Sequence, residues 1–211
     1  VHIMIKKNFL PRALALTAGC SVLLGVGAAA IADTVEHGTN EIEVNVDIVE
    51  LDEPGVLAMT VAGAGSMTLE ENGSDEMIRQ FTGTLPTVTV TDTRSAQDIA
   101  DGAYWHVLGS ASSFTSTGGD TIGAEHLGWT PNLVDGGESG AVTEGEQVDT
   151  AVDPGPDNVG LVDQELLAMA WDSAEVLDEG TWTANAELFL RTPVSVEPGS
   201  YSSKLTLSLF E

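Results

Sequence analysis

The side chains best suited to chemistry in this sequence are its large aromatics. Trp105, Trp129 and Tyr104 stand with Trp171, Trp182 and Tyr201 in a chain otherwise poor in rings. An indole or phenol offers a flat, uncharged face that packs on the C–H face of a sugar. The same rings also fill cores, because each buries a large apolar area. Tyr104 and Trp105 are adjacent, so on a strand they point to opposite faces and one of them is expected at the surface. Trp105, Trp129 and Tyr104 are therefore the candidate ligand-binding residues, although for Trp105 and Trp129 core packing ranks ahead of ligand contact. For Trp182, core packing is preferred.

Metal binding is the second chemistry to weigh. Glu70, Asn72 and Asp75, with Glu71, gather oxygen atoms in one short stretch, and Asp149, Asp153 and Asp157 form another such set. Calcium takes several oxygen ligands, although neither set has the spacing of an EF-hand loop. A solvated acidic surface is the preferred reading of both sets, with calcium as the alternative, and no other cofactor is expected. His37, His106 and His126 lack the spacings of zinc sites. No nucleophile elbow, phosphate loop or dinucleotide fingerprint appears, so the chain does not read as an enzyme. Asp92 and Arg94 lie two apart, on one face of a strand, and read as a structural ion pair.

Charge narrows the partners. All 33 Asp and Glu follow Ala32, where only Arg79, Arg94, Arg191 and Lys204 are basic, leaving about 29 negative charges. Such a surface repels nucleic acid and anionic lipid. Before it, Lys6, Lys7 and Arg12 precede an apolar run, Ala13 to Ala30, and Ala30-Ile31-Ala32 fits a small-residue cleavage site. Residues 1–32 thus read as a secretory signal peptide. A retained anchor is the competing reading, since the run has the length to span a bilayer. Leu16-Thr17-Ala18-Gly19-Cys20 has the look of a lipobox, but the apolar run continues past Cys20 to Ala30. Cleavage after Ala32 is preferred. It leaves no cysteine, no disulfide and no membrane span, and the domain must stand on its core.

The positioning elements are strands. Glu41 to Leu51 places Ile42, Val44, Val46 and Ile48 on one face and polar residues on the other, the period of a half-buried strand. Val56 to Ala62, Met67 to Glu70 and Met77 to Thr82 are further runs. Thr87 to Thr93 turns Val88 and Val90 inward, and Tyr104 to Leu108 is dense in bulky side chains. Ala124 to Thr130 is expected to stop at Pro131. Residues 132–160 are rich in Gly, Asp and Glu and read as a long acidic loop. Val162 to Ala174 fits a helix capped by Asp163 or a buried strand, and strand is preferred. Trp182 to Leu190 alternates, and Leu205, Leu207 and Leu209 share the inward face of a last strand. Short alternating strands with Gly and Pro punctuation imply an all-β fold, an antiparallel β-sandwich with an acidic loop insertion, as one domain over residues 33–211.

The order of motifs resembles WxL-type surface domains of Gram-positive bacteria, particularly their divergent actinobacterial relatives. The likeness runs over residues 85–211. It is carried by Thr87-Val88-Thr89-Val90-Thr91-Asp92-Thr93-Arg94, Trp105-His106-Val107, Ser113-Phe114-Thr115, Leu127-Gly128-Trp129-Thr130-Pro131 and Leu205-Thr206-Leu207-Ser208-Leu209. The resemblance implies export, a β-sandwich and noncovalent attachment to the cell wall, through peptidoglycan. Of the two Trp-x-Leu motifs of that family, the first corresponds to Trp105-His106-Val107, with Val for Leu. The second corresponds to Leu207-Ser208-Leu209, with Leu for Trp.

The sequence thus leads to an exported cell-surface protein that associates with cell-wall glycan through a β-sandwich. A structural or assembly subunit, pairing with other surface proteins through a sheet edge or apolar patch, is the second reading. A secreted glycan hydrolase ranks last.

Overall fold

Period-two patterning places an apolar face on each of two sheets, and those faces meet in one interior. The computed structural model describes residues 54–63, 66–155 and 158–211. The leader, the expected strand Glu41–Leu51, His37 and Asp157 lie outside the described residues.

The first sheet has the order β1 (Leu57–Val61), β4 (Val88–Asp92), β11 (Thr181–Pro193), β3 (Ile78–Thr84) and β2 (Glu70–Glu71). In it β8 (Leu127–Asp135) also pairs with β11. The second sheet has the order β13 (Leu205–Phe210), β5 (His106–Ala111), β10 (Glu165–Ala170) and β9 (Val142–Glu144). A small third sheet joins β12 (Tyr201–Ser202), β6 (Phe114–Ser116) and β7 (Thr121–Ile122). Every pairing is antiparallel. The fold is the all-β antiparallel sandwich that the alternation implies. Among the described residues no helix is long and apolar enough to cross a membrane.

β3 and β4 form one line along β11. Their registers run from Ile78↔Pro193 to Thr84↔Glu187 and resume at Val88↔Ala184. Between them Leu85 N donates to Ala186 O at 2.8 Å. That bond explains a departure from the sequence reading, in which Pro131 ends its strand. Ala186 turns its carbonyl toward Leu85, away from β8. Its partner Pro131 therefore needs no N–H toward β11, and proline is tolerated where the ladder asks for no donor.

Three indoles occupy the interior. Trp105 and Trp182 come from facing sheets and lie 5.2 Å apart, centroid to centroid. Trp129 lies against Gly109 of β5, where a Cβ would come within 2.5 Å of its Cη2. A buried aromatic removes 150–250 Å² from water, so each indole contributes at most about 4–6 kcal/mol.

Residues 132–160 are irregular for much of their length, yet they are tied down. β8 runs on to Asp135 and β9 lies among them. Ala141, Val142 and Thr150 are buried, and Val148 bridges to Trp129. Within Val162 to Ala174 the strand reading holds, as β10. The helix there is short and later: α1 (Ser173–Val176) is capped by Asp172, which accepts from Ala174 N at 2.8 Å.

Candidate functional site

β5 sorts its side chains by parity. Val107 and Gly109 face the interior; His106 and Leu108 face out. Tyr104, two residues before His106, shares the outer face, and Trp105 between them is sent inward. Register then brings Phe210 of β13 and Met169 of β10 beside His106. Trp171, two residues beyond Met169, extends the same face. The ladder reaches that far, because Ala170 N donates to Trp105 O and Ser173 N to Ala103 O.

The result is an aromatic row on the outside of the second sheet. Tyr104 stacks on His106 at 5.5 Å, and His106 stacks on Phe210 at 5.4 Å. Trp171, Tyr104 and Phe210 are 66%, 48% and 41% exposed. His106 Nδ1 is buried within the stack and has no hydrogen-bond partner among the described residues. The row is anchored at its end by Glu211, which accepts from Ser173 Oγ at 2.9 Å and from Arg94 Nη2 at 2.7 Å. These bonds, Arg94's first, hold the Glu211 carboxyl below its ordinary value and keep it charged. Chemically the face offers ring surfaces and a thioether without a fixed cation, suited to stacking rather than to ionic capture.

This placement corrects two of the three candidate ligand residues. Trp105 and Trp129 are 1% and 0% exposed and touch core atoms on all sides. An indole that fills the middle of a sandwich has no face left for a sugar. Tyr104 alone of the three is at the surface. Its stacking companions are His106, which the sequence marks only as a histidine without a zinc spacing, and Phe210, which it does not mark at all.

The acidic sets are used by the fold. Glu71 accepts from both Arg79 Nε and Nη2, at 3.0 and 2.8 Å, and from Ser74 Oγ. Asp75 accepts from the backbone of Met77 and Ile78, both at 2.7 Å. Asn72 donates to Thr82, and Glu70 pairs with Thr82 as part of β2. Asp153 is bound to Arg191 and to Thr150, and Asp149 accepts from Gln147. Among the described residues no three His, Cys, Asp or Glu side chains converge on one point. Of the expected calcium set Glu70, Asn72 and Asp75, the Asp75 carboxylate and the Asn72 amide thus already bond within the fold. His126, the other described candidate histidine outside the row, has its Nδ1 2.7 Å from Arg191 O.

No family model and no curated protein matches this sequence. Among solved structures, the chain is similar to a chain of the chaperone–tip adhesin complex of CFA/I fimbriae, at 8% identity and a TM-score of 0.40. That alignment covers 72% of this chain and 40% of the other. It is also similar to a family 123 glycoside hydrolase from Clostridium perfringens, at 14% identity and a TM-score of 0.30, over 62% of this chain and 18% of that one. This chain thus spans well under two thirds of either structure, and likenesses so distant carry no argument about what it binds.

Proposed function

We propose that this protein is exported to a bacterial cell surface and there associates noncovalently with cell-wall glycan, as a binder and not as an enzyme. One observation carries the reading: the stack of Tyr104, His106 and Phe210 on the outer face of the second sheet, with the exposed Trp171 following β10 next to it in the chain. The basic, apolar, small-residue leader supports export. The resemblance to WxL-type domains supports the wall as the destination.

Stacking is the contact that this charge balance leaves available. An acidic protein beside an anionic wall gains nothing from long-range attraction. Ring-to-sugar packing is short-ranged and survives that repulsion. Purified cell walls are the probe. The chain should co-sediment with them, Trp171→Ala and Tyr104→Ala should each lower retention, and high salt should not. Retention no greater than that of an equally acidic, unrelated protein would overturn the reading.

A further inference from the structure

The two sheets part toward the Phe81 end of the sandwich. There Phe81 and Leu190 face Leu205 and Leu207 across an open cleft of about 750 Å³. β1 ends the first sheet and β13 ends the second, and Met59, Val61, Leu205 and Leu207 place both strands on the cleft. Among the described residues each of these strands is hydrogen-bonded along one side only, which leaves a row of N–H and C=O groups without a described partner. The apolar residues beside these edges are incompletely covered. Leu205 and Leu207 are half-buried, and Val61 is 43% exposed.

Charge separates this cleft from the rest of the molecule. Arg79 and Lys204, two of the four basic residues that follow Ala32, line it, against a single acid among the described residues, Glu197. Arg79 is held by Glu71, and Lys204 makes no ion pair with any described residue. The cleft therefore combines apolar depth, exposed strand edges and an available cation within a molecule of strongly negative charge.

We propose that the cleft receives an extended strand of a partner protein, one whose apolar residues alternate with acidic ones. Each property of the cleft selects one property of that strand. The free edges take its backbone, the interior takes every second side chain, and Lys204 takes a carboxylate between them. An acyl chain would match the apolar depth and leave the backbone edges unused.

A synthetic peptide with the sequence of residues 41–51, Glu-Ile-Glu-Val-Asn-Val-Asp-Ile-Val-Glu-Leu, has this pattern and serves as the probe. Titration calorimetry against the purified chain should give one site. Lys204→Glu should weaken binding about tenfold at low salt and less at high salt, because the lost contact is a screened surface charge pair. Val61→Glu, at the exposed mouth, should weaken it at both salts, and circular dichroism should show both variants folded. Trp171→Ala should bind the peptide as the parent does, which separates this site from the aromatic face. The proposal is overturned by no binding to the folded parent chain, or by binding that survives both cleft substitutions. It is also overturned if a peptide of the same composition with its apolar residues in one block, or myristate, binds equally well.

Discussion

Arg94 holds Asp92 in a two-pronged grip, with Nε at 2.9 Å and Nη2 at 2.6 Å, while the Asp92 side chain is sealed from solvent. The pairing follows from two residues of strand spacing at the end of β4. The same guanidinium reaches Glu211 at the end of β13, so one cation joins the margins of the two sheets. Removing it strands a buried carboxylate. Arg94→Ala should cost about 3–5 kcal/mol of stability by denaturant unfolding, because breaking one half of a buried pair leaves an uncompensated charge. Arg94→Lys should recover only part, since a point charge cannot make the fork.

The pair also sets a direction in pH. Burial pushes the Asp92 carboxyl up, but the hydrogen bonds and charge of Arg94 together bring it below its ordinary value. A carboxyl lowered in the folded state adds stability that is present above its unfolded value. That stability is lost as pH falls through the lowered folded value. The parent chain should therefore lose stability as pH drops below about 4. Asp92→Asn, with nothing to protonate there, should lose less over the same range. Parallel slopes for the two in chemical denaturation between pH 7 and pH 2 would show that Asp92 does not contribute.

Gly109 is the floor beneath Trp129. A Cβ there would stand 2.5 Å from Trp129 Cη2, and Leu207 closes the other side. The ring is enclosed and cannot withdraw. Gly109→Ala should cost about 1–3 kcal/mol as an overpacked core and should alter Trp129 fluorescence. A neutral substitution would mean that the indole moves freely.

Glu179 pins the acidic segment to the core. Its carboxylate accepts from Trp182 Nε1 at 2.8 Å and from the backbone N–H groups of Glu138 and Ser139. The Trp182 bond first, then that of Ser139, draws the carboxyl below its ordinary value. Glu179→Ala leaves a buried indole N–H without a partner, at a cost of about 1–3 kcal/mol. Amide exchange should quicken at residues 137–140, and unchanged protection there would contradict the pinning.

Parity decided what the sequence could reveal. Simple alternation exposes β4, β11 and β13 to reading, and Val88, Val90, Trp182 and Leu188 lie inward as it implies. Parity also requires that Tyr104 and Trp105 part company, without saying which goes inside. That choice depends on Trp182 in the facing sheet, a contact between residues far apart in sequence. Trp171 was hidden for a different reason. Counting in twos from the buried Leu167 sends Trp171 inward. β10, however, carries a register shift between Leu166 and Ala168, so Leu167 and Ala168 are both buried and every later residue changes face. Met169 emerges beside His106 as a result, and Trp171 emerges into solvent. Nothing local in the sequence marks that bulge. In the Glu70–Asp75 stretch composition alone does not separate a metal ligand from a turn residue, because an Asp beside a turn also serves backbone N–H groups, as Asp75 does.

Burial and exposure predict opposite consequences for two tryptophans. Trp105→Ala should cost about 3–5 kcal/mol as a core cavity. Trp171→Ala, at the surface, should change stability by no more than about 0.5 kcal/mol and lower wall retention. Thermal melting beside the sedimentation assay separates the two effects, and a Trp171 variant that unfolds early would contradict the exposed placement.

The aromatic face is tested most directly by a nuclear magnetic resonance titration of the chain with soluble peptidoglycan fragments. The account predicts shifts at the Trp171 indole N–H and the ring protons of Tyr104, His106 and Phe210, with the indole N–H signals of Trp105, Trp129 and Trp182 unmoved. Shifts confined to the buried indoles or to the cleft around Leu205 and Leu207, or no shifts at saturating fragment, would contradict it.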